Sequence, residues 1–106
     1  TGLLESKGGI VTKQVFRPQR GPLQFAYFLT QDALVTIQIQ NLRGQLVRTV
    51  VKDVPRLAGS NLADSWDGLD QKGRSVPPGP YVVVLTFRNT QNVATGRAIR
   101  LFLVSK

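Results

Sequence analysis

Val35, Ile37 and Ile39 alternate with Thr36, Gln38 and Gln40. A period of two is the pattern of a strand with one face buried and the other in water. Leu23, Phe25, Tyr27 and Leu29 repeat the alternation after Arg20-Gly21-Pro22, and Gln31-Asp32 closes that segment as a turn. Nowhere does an apolar stripe of helical period run long enough for a convincing helix. A chain of this kind has to build its core by laying sheet on sheet.

The remaining segments follow the same rhythm. Asn41-Leu42-Arg43-Gly44 separates the first strand from the β-branched run at 46–51, so the two read as a hairpin with Gly44 supplying a positive φ. Residues 10–16 form an earlier strand, ended by Pro18. Residues 55–60 read as a loop and 61–66 as a short strand that leads into Asp67-Gly68-Leu69-Asp70-Gln71-Lys72-Gly73, a turn stabilised by its Asp side chains. Pro77-Pro78-Gly79-Pro80 forbids helix and keeps the chain extended. In 81–88, Tyr81, Val83, Leu85 and Phe87 face one way and Val82 and Val84 the other, which places this strand centrally in a sheet. Asn89-Thr90-Gln91-Asn92 turns the chain into a last strand at 97–104, where Ile99, Leu101 and Leu103 oppose Arg100 and Phe102.

About seven strands with short polar turns, in 106 residues, predict an all-β sandwich of the immunoglobulin or fibronectin type III kind over 10–106. Residues 1–9, with Gly2, Gly8 and Gly9, read as a flexible arm or linker. The expected core is Phe25, Tyr27, Leu29, Val35, Ile37, Ile39, Trp66, Tyr81, Val83 and Leu85, with Trp66 as its central aromatic. Gly44, Asp67, Gly68, Asp70, Gly73 and Gly79 are the expected turn residues.

Composition narrows function mainly by exclusion. There is no His and no Cys, so imidazole bases, thiolate nucleophiles, disulfides and the ordinary zinc, haem and iron–sulfur ligand sets are closed off, and no cofactor is expected. No Ser stands in a nucleophile elbow, and no Gly-rich phosphate cradle is present. The longest apolar run is far shorter than the ~18–20 residues of a membrane-spanning helix, and no basic-then-apolar leader stands at the amino end. A soluble form is therefore expected. Thr1 and the lack of Met fit leader removal, excision from a longer protein, or loss of an initiator Met alike.

Phe25, Tyr27 and Leu29, the Val35-Thr36-Ile37-Gln38-Ile39 strand, Gly44 with Val47-Arg48, Gly59, Trp66-Asp67-Gly68, Asp70, Gly73, Val76-Pro77 and Gly79-Pro80-Tyr81 form a series whose order and spacing span most of the chain. In this the sequence resembles the immunoglobulin-like domain named after the flagellar hook-capping protein, a module also found near the carboxyl ends of many bacterial secreted proteins. The resemblance implies a β-sandwich accessory domain without catalytic activity. Pro80 between Gly79 and Tyr81 departs mildly from the pattern. The residues alone agree on scaffold roles, with Gly44 and Gly68 in turns, Trp66 and Tyr81 in the core and the Arg48 stem laid over the sheet. Function on such a fold resides in sites added to it.

Two constellations hold chemistry worth weighing. Asp64, Asp67 and Asp70 recur every third residue, a spacing unlike the EF-hand loop, and are read as turn-stabilising rather than metal-binding or acid–base groups. Fourteen Lys and Arg against six Asp and Glu leave a net charge of +8. Most of these cations read as a solvated surface, but Arg88, Arg97 and Arg100, on adjacent strands, are candidate anion-binding residues for an anionic glycan. Nucleic acid is disfavoured because the aromatics fall on inward positions. The strands at 10–16 and 99–104 are candidates for pairing with a neighbouring subunit, against the alternative that each pairs within its own domain.

The expectation is a non-catalytic structural or assembly module of a bacterial extracytoplasmic or cell-surface protein, part of a filament, appendage or surface complex. Its partners would be other protein subunits or domains, including copies of itself, met through surface and strand-edge contacts. Two alternatives stand beside it: a carboxyl-terminal sorting or accessory domain of a secreted enzyme, and an anionic-glycan-binding module.

Overall fold

The computed structural model describes residues 10–11, 15–88 and 94–105. Its strands are β1 (Ile10–Val11), β2 (Val15–Phe16), β3 (Leu23–Gln24), β4 (Ala26–Leu29), β5 (Ala33–Asn41), β6 (Leu46–Arg56), β7 (Gly59–Asn61), β8 (Ser65–Trp66), β9 (Gly79–Arg88) and β10 (Ala94–Val104), with a single 3₁₀ turn at Pro18–Arg20. One layer is a five-stranded sheet in the order β2-β10-β9-β5-β6; the other is made of β1-β4-β7 and the short pair β3-β8. The result is an all-β sandwich. β9 is the middle strand of the larger sheet, as its apolar residues on both faces require.

Strand β5 shows how the pattern builds the core. Val35, Ile37 and Ile39 are wholly buried while Thr36, Gln38 and Gln40 are half-buried on the other face. Each such aliphatic side chain contributes about 1.5–3 kcal/mol relative to exposure. β9 lies antiparallel beside it with Ile37 opposite Leu85 and Ile39 opposite Val83, so one inward row stacks against the next. Across the sandwich, Leu23 of β3, Tyr27 and Leu29 of β4, and Phe25 between the two strands are buried against this row. Trp66 fills the space between, with ring centroids 5.5 Å from Phe16, 6.2 Å from Tyr81 and 5.8 Å from Phe102. Every residue expected in the core is buried. Phe16, Phe87, Phe102 and Val104 are buried there as well.

Several boundaries differ from the sequence reading, each for a local reason. The expected loop at 55–60 shrinks to Leu57-Ala58, because β6 continues through Arg56 and β7 begins at Gly59. Pro55 can stay in β6 because that strand lies at the sheet edge, where no ladder donor is required of it. The expected strand at 61–66 is broken between Asn61 and Ser65, where Asp64 turns into the interior. The strand expected at 10–16 is two pieces in different layers: β1 pairs antiparallel with β4, and β2 pairs parallel with β10. The expected arm at 1–9 and turn at 89–92 lie outside the described residues.

Gly96 sits directly opposite Phe87. A Cβ at this position would lie 2.6 Å from Phe87 Cζ, so only a glycine lets the ring lie across the neighbouring strand.

Removing the central ring should therefore cost far more than removing an exposed one. Trp66→Ala is expected to lower the unfolding free energy by about 3–5 kcal/mol, whereas Leu62→Ala, on the surface, should change it by less than about 0.5 kcal/mol. Urea denaturation of the two variants checks this.

Candidate functional site

The turn after Trp66 is built by its carboxylates. Asp67 Oδ1 accepts the Leu69 N–H at 3.0 Å, and Asp70 Oδ1 accepts the N–H groups of Lys72 at 2.9 Å and Arg74 at 3.0 Å. Those amides, Arg74 first, hold the Asp70 carboxyl below the usual carboxylate range. Gly68, Gly73 and Gly79 all adopt positive φ, as does Gly44 in the hairpin. At Gly68 the need is steric as well, since a Cβ would stand 3.1 Å from Pro18 Cγ.

Asp64 does not share this role, and its expected place among turn-stabilising acids is corrected. It is buried, and its carboxylate takes Arg56 in a forked pair, Nη2 to Oδ1 at 2.6 Å and Nε to Oδ2 at 3.2 Å. The Tyr27 hydroxyl donates to Oδ2 at 2.6 Å. Burial alone would raise the Asp64 pKa, but Arg56 and Tyr27 outweigh it and hold the group below its ordinary value. The partners respond in kind. Burial and then the Asp64 hydrogen bond push the Tyr27 phenol far up, and hydrogen bonding to Asp64 raises Arg56. Such a triad satisfies a buried charge with one cation and one hydroxyl. Nothing in the sequence pairs Arg56 with Asp64, because their meeting depends on the broken strand between β7 and β8.

The candidate anion-binding arginines do not converge. Arg97 stands opposite Thr86 on the outer face, whereas Arg100 stands opposite Val83, whose side chain points into the core. Arg88 is on the outer face and pairs with Asp53, Nη2 to Oδ1 at 2.9 Å. Residues three apart on a strand face opposite ways, so Arg97 and Arg100 are set apart by the same alternation that identified the strand. A shallow groove elsewhere, between Leu46, Val76 and Tyr81, carries Lys72 and Arg74, but Asp70 lines it too.

The outer edge of β6 is partly occupied. Gln71 donates its N–H to Val47 O at 3.0 Å and accepts the Thr49 N–H on its side chain at 2.8 Å, which covers the outer edge of β6. Further along that edge, Asp53 has a φ of 50° and Pro55 has no N–H. Both features blunt an edge against strand addition. The strands considered for pairing between subunits all pair within the chain: β1 with β4, β2 with β10, and β10 with β9. What the described exterior does offer is a row on β10: Ile99, Leu101 and Leu103 are about half exposed, while Phe102 and Val104 fill the core.

The FlgD Ig-like domain family profile matches residues 12–91. Among solved structures, that of FlgD from P. aeruginosa is similar at a TM-score of 0.67 and 20% identity, over 93% of this chain and 74% of that one. PorZ, an essential bacterial surface component of the type-IX secretion system of Porphyromonas gingivalis, is similar at a TM-score of 0.54 and 15% identity. That likeness takes in 94% of this chain but only 12% of PorZ. At these identities the structural likeness speaks to the fold alone. No curated protein matches.

The buried triad has an acid signature. A carboxyl whose folded pKa lies below its unfolded value of about 3.9 stabilises the fold fully above that value, and the contribution fades as pH falls through the folded pKa. Asp64→Asn should therefore lower stability by roughly 1–3 kcal/mol near neutral pH, and the gap to the natural chain should narrow below pH ~4. Urea titrations of both chains at neutral and acid pH measure it.

Proposed function

The chain belongs to the FlgD Ig-like domain family, and we propose that it is a non-catalytic assembly module of a bacterial extracytoplasmic or cell-surface protein. It works by holding other subunits or domains in a filament, appendage or surface complex. The observation that carries this reading is the exposed aliphatic row Ile99, Leu101 and Leu103 on a strand whose other face puts Phe102 and Val104 into the core. The likeness to FlgD and to a surface component of a secretion system supports it. The chemistry of the acids supports it too, since buried Asp64 and the turn residues Asp67 and Asp70 are each bound to groups that shape the fold.

A second reading, a sorting or accessory domain within a longer secreted protein, is favoured by one observation: this chain spans 12% of PorZ. The two differ in what is lost with the domain. An anionic-glycan module finds less support, because Arg100 stands on the opposite face from Arg88 and Arg97.

In-frame replacement of this domain by an unrelated β-sandwich of similar size, in the bacterium that encodes it, separates them. The assembly reading expects the protein to be made and exported but absent from its surface complex. Loss of export alone would favour the sorting reading. An intact complex with unchanged export, or substrate turnover that disappears with the domain, would overturn both.

A further inference from the structure

We infer that the outer face of β9 and β10 is a docking surface for another protein, one that presents an apolar ridge bordered by carboxylates. The inference rests on the assembly reading and adds to it the face that is used and the chemistry that covers it.

The face is defined by register. Ile99 lies opposite Val84, Leu101 opposite Val82, and Leu103 stands between Pro80 of β9 and Val15 of β2. Directly paired residues project to the same side of a sheet, so these aliphatic groups from three neighbouring strands form one continuous strip. Ile99, Leu101 and Leu103 are 53%, 57% and 48% exposed, and Val15 is 40% exposed. Scattered exposed aliphatics are ordinary on a soluble surface; a strip that runs unbroken from strand to strand marks a contact. Strands apolar on both faces are normally covered on both. Here Phe102 and Val104 on the inner face of β10 lie in the core, while on the outer face Ile99, Leu101 and Leu103 are exposed beside a half-buried Val82 and a buried Val84.

The border of the strip says what covers it. On β5, Gln38 and Gln40 lie opposite Val84 and Val82, Thr36 lies opposite Thr86, and Arg97 of β10 lies opposite Thr86 from the other side. An apolar centre rimmed by amides, hydroxyls and an arginine is the anatomy of a protein–protein interface. A bilayer would instead be met by Trp and Tyr at the rim, and the single Trp and both Tyr of this chain are buried.

Charge chooses among proteins. The chain carries +8, so a second copy would bring two strongly cationic bodies together. Nor do the described residues have anions to spare for Arg97. Asp32 accepts the Ala58 N–H, Asp53 pairs with Arg88, Asp64 with Arg56, and Asp67 and Asp70 accept turn amides. With the described acids engaged and the chain strongly cationic, the complementary carboxylates are expected from a different protein.

The test places a photo-crosslinking amino acid at Leu101 of the full-length protein in its own cells, with Ser60, exposed on the other layer, as the control. The expected result is one discrete adduct with a different protein at Leu101 and none at Ser60. The crosslinked peptide, sequenced by mass spectrometry, should hold aliphatic residues beside Asp or Glu. Arg97→Glu should reduce the adduct roughly threefold or more, with an unchanged far-ultraviolet circular dichroism spectrum. A homodimer adduct, a lipid adduct, a partner peptide lacking acidic residues, or no adduct at Leu101 overturns the inference. An adduct at Ser60 instead leaves the assembly reading standing and removes this face from it. Loss of the assembly reading itself is read separately, from the domain replacement.

Discussion

The indole of Trp66 ties the two layers to each other and to the turn that follows it. Its ring packs on Phe16, Tyr81 and Phe102, and its N–H donates to Leu69 O at 2.9 Å. A buried indole N–H without an acceptor would cost about 1–3 kcal/mol, so the carbonyl of Leu69 has to be held where the ring needs it. Asp67 and the positive φ of Gly68 do this locally, and the bond from Val76 N–H to Gly68 O closes the turn behind it. The same turn then reaches β6 through Gln71, and Arg48 donates to Asp70 O at 2.9 Å. Core packing and turn chemistry are thus a single construction around one aromatic ring.

The acids and bases divide by role. Each described carboxylate is committed to a turn amide or an ion pair, and the deepest of them, Asp64, is neutralised by Arg56 and capped by Tyr27. Pairs of this sort seldom add net stability over an apolar packing of the same volume, but losing one partner is costly. With the described anions turned to internal use, the described exterior is that of a basic body carrying an aliphatic strip on β10. That combination suits recognition of another surface better than chemistry on a small molecule.

How much of this was legible in the sequence depends on whether the information is local. The β5 alternation, the two apolar faces of β9 and the burial of Trp66 and Tyr81 were readable, because a strand half in water writes its burial directly into every second residue. The Asx geometry at Asp67 and Asp70 was readable for the same reason, as it spans only a few residues. The Arg56–Asp64–Tyr27 triad was not: it joins three segments whose meeting depends on the layers closing. The layer switch between β1 and β2 was hidden too, since pieces so short carry no register of their own. The arginine cluster failed for a different reason. Strands 81–88 and 97–104 are adjacent, but alternation along the second sends Arg97 and Arg100 to opposite faces.

If the Trp66 cluster is the centre on which both layers depend, its indole proton can escape only when the whole fold opens. Native-state hydrogen exchange followed at the Trp66 indole N–H and at the backbone amides of Val35, Ile37, Val83 and Leu85 measures this. The account predicts that all of them exchange with the same, global opening free energy. An indole proton that exchanges orders of magnitude faster, together with the amides of residues 71–73, would show the ring to be a passenger of a loosely attached turn and would contradict it.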